Sequence, residues 1–283
     1  MAGPEPELTS TRSDRVVRVR RLATRAFREK TGEFVVEGPQ AVREALAVAG
    51  CVRELYVTPE AADRHADLVA AAHGDGALVM TAAPEVLARM ADTVHPQGLV
   101  GVAARVDVPL DRALATGPDG SPPRLVAVLV DARDPGNAGT VLRTADAAGA
   151  DAVLLAGDSV DPHNGKCVRA TAGSLFHLPV ATAGSLAEVV AALRAAGLLV
   201  LAADGAGDVD LDRAADDGLL DRPTAWLFGN EARGLSAEQA ALADAVVRVP
   251  LHGRAESLNL AAAAAVCLYA SARAHRPVAG RTD

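Results

Sequence analysis

Three segments in the second half of the chain share one pattern, an apolar run followed by a polar loop that contains glycine. The first spans 125–155, where the apolar run stops at Asp131. A loop rich in Pro135, Gly136, Asn137 and Gly139 follows, and a helix is predicted to start at about Thr140. The second is 226–234, WLFGNEARG, and the third is 247–260, VRVPLHGRAESLNL. The carboxyl ends of parallel strands lie along one edge of an open α/β sheet, where such folds bind ligands. The pattern therefore predicts a parallel sheet with a ligand site at that edge.

Composition and the positions of glycine and proline divide the chain into four parts. Residues 1–13 are predicted to be a disordered tail, and residues 14–106 a small α/β unit. Residues 107–123 are rich in glycine and proline, which is typical of a linker. In the fourth part, 124–277, apolar runs alternate with helix patterns, which indicates a parallel sheet covered by helices on both faces. Its strands are predicted near 125–130, 152–155, 198–203, 225–228 and 246–249.

The bulk composition excludes several protein classes. Half of the 283 residues are hydrophobic, so the chain is expected to be globular rather than disordered. Cys51, Cys167 and Cys267 lie far apart and form no CxxC pair, so we expect neither a zinc site nor a disulfide framework, and no metal. No uninterrupted apolar run approaches 18 residues and no apolar signal core begins the chain, which favours a cytoplasmic protein without membrane segments.

Charge is distributed unevenly along the chain. The formal net charge is −8, yet 12–30 holds eight basic and two acidic residues. If this segment is one helix, four arginines form a single stripe. They are Arg18, Arg21, Arg25 and Arg28. Such a stripe suits a nucleic-acid phosphate backbone, or else it is a solvated face paired with acids elsewhere; composition alone leaves both readings open.

Familiar nucleotide and hydrolase motifs are missing. The run 204–208, DGAGD, follows a predicted strand, but its spacing is not GxGxxG and no helix start follows it. The sequence also lacks a GxSxG nucleophile elbow and an HxxxH pair. A dinucleotide site of the usual kind is therefore not predicted.

The loops of the three segments carry a set of polar side chains with one cation and one carboxylate. They are Asn137, Arg143, Glu231, Ser257 and Asn259. Without a metal cage or a Cys/His nucleophile pair, this set suits group transfer in which a cofactor carries the chemistry. Each residue has a plainer alternative. Arg143 could pair with Asp146 at i+3, Asn137 could be a turn residue, Glu231 a surface charge, and Ser257 a helix cap.

The segments DPGNAGTVLRTADAAGA, LFGNEARGLS and VPLHGRAESLNLAAAAAVCLY resemble, in order, the three motifs of the SpoU/TrmH family. These are RNA ribose 2′-O-methyltransferases of the SPOUT class. The resemblance covers about 124–275, and KCVRATAGSLFHLP at 166–179 is similar to the family's segment between the first two motifs. The first unit resembles the family's accessory substrate-binding domain, on the strength of FVVEG at 34–38 and QGLVGV at 97–102.

The resemblance implies an α/β parallel-sheet domain with a C-terminal trefoil knot, preceded by a small α/β substrate-binding domain. It also implies a homodimer formed through the catalytic domains. S-adenosylmethionine would lie in the knot, held by Leu227, Phe228, Gly229, Asn230, Glu231, Val249, Pro250, Leu251, Ser257 and Leu258. The catalytic set would be Arg143, Asn137, Glu231, Ser257 and Asn259, with Gly139 and Gly234 also matching the motifs. RNA contacts are expected from Arg18, Arg21, Arg25, Arg28, Lys166 and Arg169.

Three readings remain open at this point. The leading one is a methyltransferase acting on ribosomal RNA, which the accessory domain favours over transfer RNA. The second is a non-catalytic RNA-binding protein on the same fold, against which the intact polar set counts. The third is an α/β enzyme that acts on a small molecule with a nucleotide cofactor, and the missing glycine fingerprint and the basic N-terminal segment count against it.

Overall fold

The computed structural model describes residues 6–116 and 120–275. The chain forms two compact units. The first contains the described residues up to Val106 together with Asp161–Phe176, and the second contains Asp107–Val160 and the described residues from His177 onward. No helix in the part of the chain that the structure describes is both long and apolar enough to cross a membrane.

The first unit is built on a four-stranded sheet in the order β1-β4-β2-β3. Its β2 and β3 are parallel, whereas β4 runs antiparallel to both of its neighbours. The elements up to the end of this sheet are α1 (Asp14–Arg21), α2 (Arg25–Thr31), β1 (Glu33–Glu37), α3 (Pro39–Leu46), β2 (Val52–Val57), α4 (Pro59–Arg64), α5 (Ala66–Gly74), β3 (Leu78–Thr81), α6 (Pro84–Met90) and β4 (Leu99–Ala104).

The second unit is built on a seven-stranded sheet in which every pair of neighbours is parallel. The remaining elements are α7 (Leu110–Ala113), β5 (Leu125–Val130), α8 (Pro135–Ala148), β6 (Ala152–Ala156), α9 (Gly165–Thr171), β7 (Val180–Ala183), α10 (Leu186–Ala195), β8 (Leu199–Ala203), β9 (Val209–Asp210), α11 (Leu211–Asp216), β10 (Thr224–Phe228), α12 (Ala237–Ala240), β11 (Ala245–Arg248) and α13 (Leu260–His275). Of these, α9 belongs to the first unit.

The strand order of the large sheet is β7-β6-β5-β10-β8-β11-β9. Both β5 and β10 are buried along their whole length, as strands covered on both faces are. On one face, the indole Nε1 of Trp226 donates to the Ser271 hydroxyl of α13 at 2.9 Å. The chain order reverses between β5 and β10, so the carboxyl ends of these two strands form the kind of crevice in which open α/β sheets bind ligands.

Helix α8 begins earlier than the sequence suggested. We predicted a start near Thr140 because Pro135, Gly136 and Asn137 are typical loop residues. In the structure the Asp134 side chain accepts from the amide of Asn137 at 2.8 Å, and Pro135 takes the first helical position. Proline is favoured there because its missing N–H would have no partner in the helix. The predicted loop is therefore the first turn of the helix.

The N-terminal tail and the linker are more ordered than predicted. Leu8 is 8% exposed and forms a bridge with Ala82, its amide donating to the Thr81 carbonyl at 3.0 Å. The prediction of a disordered 1–13 is therefore wrong over this part, and 1–5 lie outside the described residues. In 107–123, α7 forms because Ala113 packs into the core of the second unit. Residues 117–119 of the linker and the predicted frayed end 277–283 lie outside the described residues.

The grouping of Asp161–Phe176 with the first unit was not anticipated, since the second domain was predicted as continuous over 124–277. Within the first unit, the Phe34 ring lies 4.6 Å from the His163 ring, centroid to centroid. The His163 Nε2 accepts from the amide of Val106 at 3.2 Å. These contacts fold a segment from the second half of the sequence into the core of the first unit.

The predicted arginine stripe is interrupted, because α1 ends at Arg21 and α2 begins at Arg25. The prediction that Arg28 contacts RNA is wrong. It is 2% exposed, and its guanidinium donates to the Asp161 carboxylate at 2.7 Å and to two backbone carbonyls at 2.9 Å. Burial opposes ionisation of Asp161, but hydrogen bonds from His163 and Arg28 outweigh it and lower the Asp161 pKa. Arg28 is therefore an internal counter-ion and is not available to RNA phosphate.

Candidate functional site

A cavity of about 250 Å³ lies at the carboxyl edge of the large sheet. It is bounded by the loops that follow β8, β10 and β11 and by the first turns of α13. The apolar part of its wall comes from eight side chains. The larger of these are Phe228, Val249, Leu251, Leu258 and Leu260, and Ala203, Ala232 and Ala263 complete the apolar surface. The second and third of the predicted motif segments thus meet at one cavity, on the sheet edge that the strand pattern indicated.

The loop after β10 is a tight turn that presents backbone to this cavity. The amide of Asn230 donates to the Gly234 carbonyl at 3.0 Å, and the amide of Gly234 donates back to the Asn230 carbonyl at 2.8 Å. Gly234 has φ of +65°, a conformation that glycine adopts without strain. At Gly229, a Cβ would lie 2.3 Å from the Gly234 carbonyl carbon. Only glycine fits there, and Gly229 forms part of the cavity wall.

Asn230 and Glu231 fasten this loop to the loop that follows β5. The two carboxylate oxygens of Glu231 accept from the amides of Asp134 at 3.0 Å and Arg133 at 3.1 Å. The Asn230 side-chain amide donates to the Asp131 carbonyl at 2.8 Å. Glu231 also lines the cavity. The carboxylate that the sequence singled out therefore holds two neighbouring strand-end loops together, and its predicted role toward the nucleotide stays a prediction.

Asn137 and Asn259 join the first and third motif segments. The Asn259 Nδ2 donates to the Asn137 Oδ1 at 3.1 Å. The Asn259 Oδ1 accepts from the amide of Ala261 at 2.9 Å and so caps the start of α13. Ser257 lines the cavity, and the capping position that we considered for it is taken by Asn259.

Arg143 is exposed on α8, six residues beyond Asn137, which is about 9 Å further along the helix axis. Within the described part of the chain its guanidinium has no hydrogen bond or ion partner. The alternative of an Arg143–Asp146 pair is not what forms, because the Asp146 carboxylate bonds to His177 Nδ1 at 2.7 Å. Arg143 does not line the cavity, so its catalytic role stays a prediction.

Eight of the ten residues predicted to hold the cofactor line the cavity. They are Phe228, Gly229, Asn230, Glu231, Val249, Leu251, Ser257 and Leu258. Leu227 lies instead in the hydrophobic core, because alternate residues of a strand face opposite sides of the sheet. Pro250 is also not part of the wall.

Sequence reasoning missed Asp204 and Gly205, which follow β8 and line the same cavity. The 204–208 run was set aside because it does not match a dinucleotide fingerprint. The overlooked signal was simpler, since any loop after a parallel strand lies at the ligand-binding edge of the sheet.

Most of the remaining predicted RNA contacts are paired with carboxylates in the first unit. Arg18 pairs with Glu33 and Glu54, Arg25 with Glu29, and Arg169 with Glu37 and Asp92. The Arg21 guanidinium lies 4.1 Å from the centre of the Phe27 ring, and Lys166 is exposed. Partly exposed ion pairs are weak, so the carboxylates do not prevent Arg18, Arg25 and Arg169 from binding RNA. RNA contact by these three residues, and by Arg21 and Lys166, stays a prediction.

Two family profiles match the chain. The SpoU rRNA Methylase family matches 124–269, and the MRM3-like substrate binding domain matches 13–101. The two matches correspond to the large-sheet and small-sheet parts of the sequence.

Individual relatives match over nearly the whole length. The 23S rRNA (guanosine(2553)-2′-O)-methyltransferase RlmP of Bacillus subtilis is 33% identical, over 93% of this chain and 98% of the relative. An uncharacterised tRNA/rRNA methyltransferase of Synechocystis is 33% identical, over 94% of this chain and 93% of the relative. Among solved structures, the AdoMet-bound rRNA methyltransferase of Sinorhizobium meliloti matches with a TM-score of 0.81 and 34% identity, over 94% of this chain and 97% of that chain.

Proposed function

The chain belongs to the SpoU rRNA methylase family, and we infer that it is an RNA 2′-O-ribose methyltransferase that uses S-adenosylmethionine and acts on ribosomal RNA. The observation that carries this inference is the cavity of about 250 Å³ bounded by the second and third motif segments. A relative that matches over nearly its whole length is named as a 23S rRNA 2′-O-methyltransferase, and a structural neighbour is described as AdoMet-bound.

The cavity fits S-adenosylmethionine. Phe228, Leu251 and Leu258 provide apolar surface for a flat ring. Gly229 brings backbone into the cavity wall, where it is proposed to contact the edge of that ring, and the Asp204 carboxylate offers an acceptor for hydroxyl or amino groups. When bound, the cofactor supplies an electrophilic methyl group on its sulfonium sulfur.

The chain itself has to place a ribose 2′-hydroxyl next to the cofactor and assist loss of its proton. A guanidinium stays protonated in a protein, so we assign Arg143 to binding a phosphate or the developing oxyanion, with the proton passing to phosphate or water. The Asn137–Asn259 hydrogen bond fixes α8, which carries Arg143, against the start of α13. Ser257 and Glu231 line the cavity and are proposed to orient the groups bound there.

The proposal is tested with purified protein, S-adenosylmethionine labelled in its methyl group, and ribosomal RNA prepared without native modification. The expected product carries label that survives alkaline hydrolysis within a dinucleotide, because a 2′-O-methyl group blocks cleavage of the adjacent phosphodiester. Label released as a methylated base would overturn the assignment to ribose. Label incorporated into transfer RNA but not ribosomal RNA would favour the alternative that the mixed name of the Synechocystis relative raises.

We further propose a C-terminal trefoil knot, a homodimer formed through the catalytic domains, and action in the cytoplasm. Support for the dimer comes from α13, where Val266 is 42% exposed and Tyr269 is 49% exposed. The two residues are three positions apart and so lie on one face of the helix, and a contiguous exposed apolar patch is typical of a protein–protein contact. Sedimentation equilibrium would test the dimer, and a monomer at every concentration would contradict it.

A further inference from the structure

A second cavity, of about 220 Å³, lies within the first unit and is lined by two arginines. Arg20 comes from α1 and Arg89 from α6, and both side chains are exposed. Over 6–116 and 120–275, neither guanidinium has a hydrogen bond or a carboxylate partner. Nothing in the sequence pattern had singled out either residue, because they are far apart in the chain.

The two carboxylates in the cavity wall share one partner, which is a different arginine. Glu37 and Asp92 line the cavity, and Arg169 donates to both, at 3.2 Å to Glu37 and 3.1 Å to Asp92. Glu37 also accepts from the amides of Asp92 at 3.0 Å and Thr93 at 3.2 Å. Three arginines therefore face two carboxylates, which leaves a net charge of +1, and Arg20 and Arg89 are the two arginines that no carboxylate pairs with.

Most of the rest of the wall is apolar, although His163 and Asn164 also line it. Val19 and Leu22 from the α1 side and Met90 at the end of α6 are buried in the core of the unit. The two arginines thus stand on packed elements rather than on loops. A pair of guanidiniums beside apolar surface matches the chemistry of a phosphodiester with its ribose, because guanidinium groups bind phosphate oxygens through several parallel N–H donors.

We propose that this cavity binds a phosphate group of the RNA backbone through Arg20 and Arg89. The inference rests on the proposed function, and it adds a positioning contact outside the large-sheet cavity. A chain of net charge −8 has little overall electrostatic attraction for RNA. RNA binding therefore depends more on local cationic side chains such as Arg20 and Arg89. A contact of this kind fixes where the RNA lies and does not select the base.

The test uses the full chain and fluorescently labelled, mixed-sequence RNA. The double variant Arg20→Gln/Arg89→Gln is compared with Arg12→Gln/Arg53→Gln, which removes the same charge from exposed positions of the first unit outside the cavity. We expect the cavity variant to bind RNA about tenfold more weakly and its salt dependence to fall by about one unit of slope, since one phosphate contact is lost. The control variant should stay within about twofold of the parent affinity.

Equal weakening in the two double variants would overturn the proposal, and so would an unchanged affinity in the cavity variant. The variant Arg20→Lys/Arg89→Lys keeps the charge and should keep most of the salt slope. Thermal unfolding and S-adenosylmethionine binding verify that each variant is folded. Inorganic phosphate serves as a separate probe: saturable binding that the cavity variant loses, with RNA affinity unchanged, would assign the cavity to a free anion and overturn the RNA proposal.

Failure of this inference can be separated from failure of the proposed function. If the parent protein methylates ribosomal RNA while the cavity variant binds RNA normally, only the cavity assignment fails. If the parent transfers no methyl group but the cavity variant still loses RNA affinity selectively, the proposed reaction fails and the phosphate site stands.

Discussion

The side-chain amide of Asn259 donates to the side-chain oxygen of Asn137 at 3.1 Å, although 122 residues separate them in sequence. Asn137 lies in the first turn of α8, and Asn259 caps α13. This one hydrogen bond connects the segment before α13, which lines the large-sheet cavity, to the helix that carries Arg143. The two asparagines therefore offer a way to separate helix capping from alignment of the site.

We expect Asn137→Ala and Asn259→Ala to lower methyl transfer by similar factors, about tenfold each, because either change removes the link between α8 and α13. Their effects on stability should differ. Only Asn259→Ala also removes the cap of α13, which costs about 1 kcal/mol of the free energy of unfolding. Urea unfolding and single-turnover methylation measure the two effects. Equal stability of the two variants, or activity lost in only one of them, would contradict this account.

Arg143→Ala should leave S-adenosylmethionine affinity unchanged and reduce the methylation rate by roughly 100-fold, as removal of one electrostatic contact to a developing charge does. The residue does not line the cavity, so cofactor binding is not expected to depend on it. Arg143→Lys should recover little of the lost methylation rate, because an ammonium group lacks the planar set of N–H donors that a guanidinium presents. Arg213→Ala, at another exposed arginine of the second unit, is the matched control. Near-normal turnover in Arg143→Ala would remove it from the mechanism.

Removing one partner of the buried ion pair of Arg28 and Asp161 should strongly destabilise the first unit. Arg28→Met leaves Asp161 without its main counter-ion, and we expect a loss of about 3–5 kcal/mol in the free energy of unfolding. Arg28→Met/Asp161→Asn should recover part of this loss because no charge is then stranded. Denaturant unfolding of the three proteins measures these differences, and a loss below about 1 kcal/mol in Arg28→Met would contradict the assignment.

The same pair predicts a pH dependence. The folded-state pKa of Asp161 is lowered, because hydrogen bonds from His163 and Arg28 outweigh the burial that opposes ionisation. Its contribution to stability is therefore fully present above the unfolded pKa of about 3.9 and is lost as the pH falls from there toward the lower folded value. Acid titration of unfolding should show a shallower decline in Asp161→Asn than in the parent. Parallel curves would show that Asp161 does not cause this pH dependence of stability.

The parallel sheet and the site edge could be predicted because they depend on local signals. Apolar runs that stop at polar loops mark the ends of β5, β10 and β11, whichever strands they pair with. The short β7 and β9 were missed, since four and two residues give too little periodicity. Arg28 was misplaced for a different reason. Whether an arginine is buried depends on a partner such as Asp161, 133 residues away, and no local pattern reports that distance.

A substitution at Gly229 tests whether the backbone of the turn after β10 contributes to cofactor binding. In Gly229→Ala the new Cβ would meet the Gly234 carbonyl carbon at 2.3 Å, and this contact is with backbone, so no side-chain rotation relieves it. The tight turn at Asn230–Gly234 would have to move, and the hydrogen bonds that hold it to the loop after β5 would weaken with it. We expect S-adenosylmethionine affinity to fall by at least about tenfold, as loss of a backbone hydrogen-bonding surface implies.

Gly184→Ala is the control for that variant, because a Cβ there meets nothing within 4 Å. That change should leave affinity intact and raise stability slightly, by about 0.4–1 kcal/mol, since alanine restricts the unfolded chain. Isothermal titration with S-adenosylmethionine compares the two. If Gly229→Ala binds the cofactor as tightly as Gly184→Ala, the backbone of the turn does not contribute to cofactor binding. The apolar side chains of Phe228, Leu251 and Leu258 must then hold the cofactor without it.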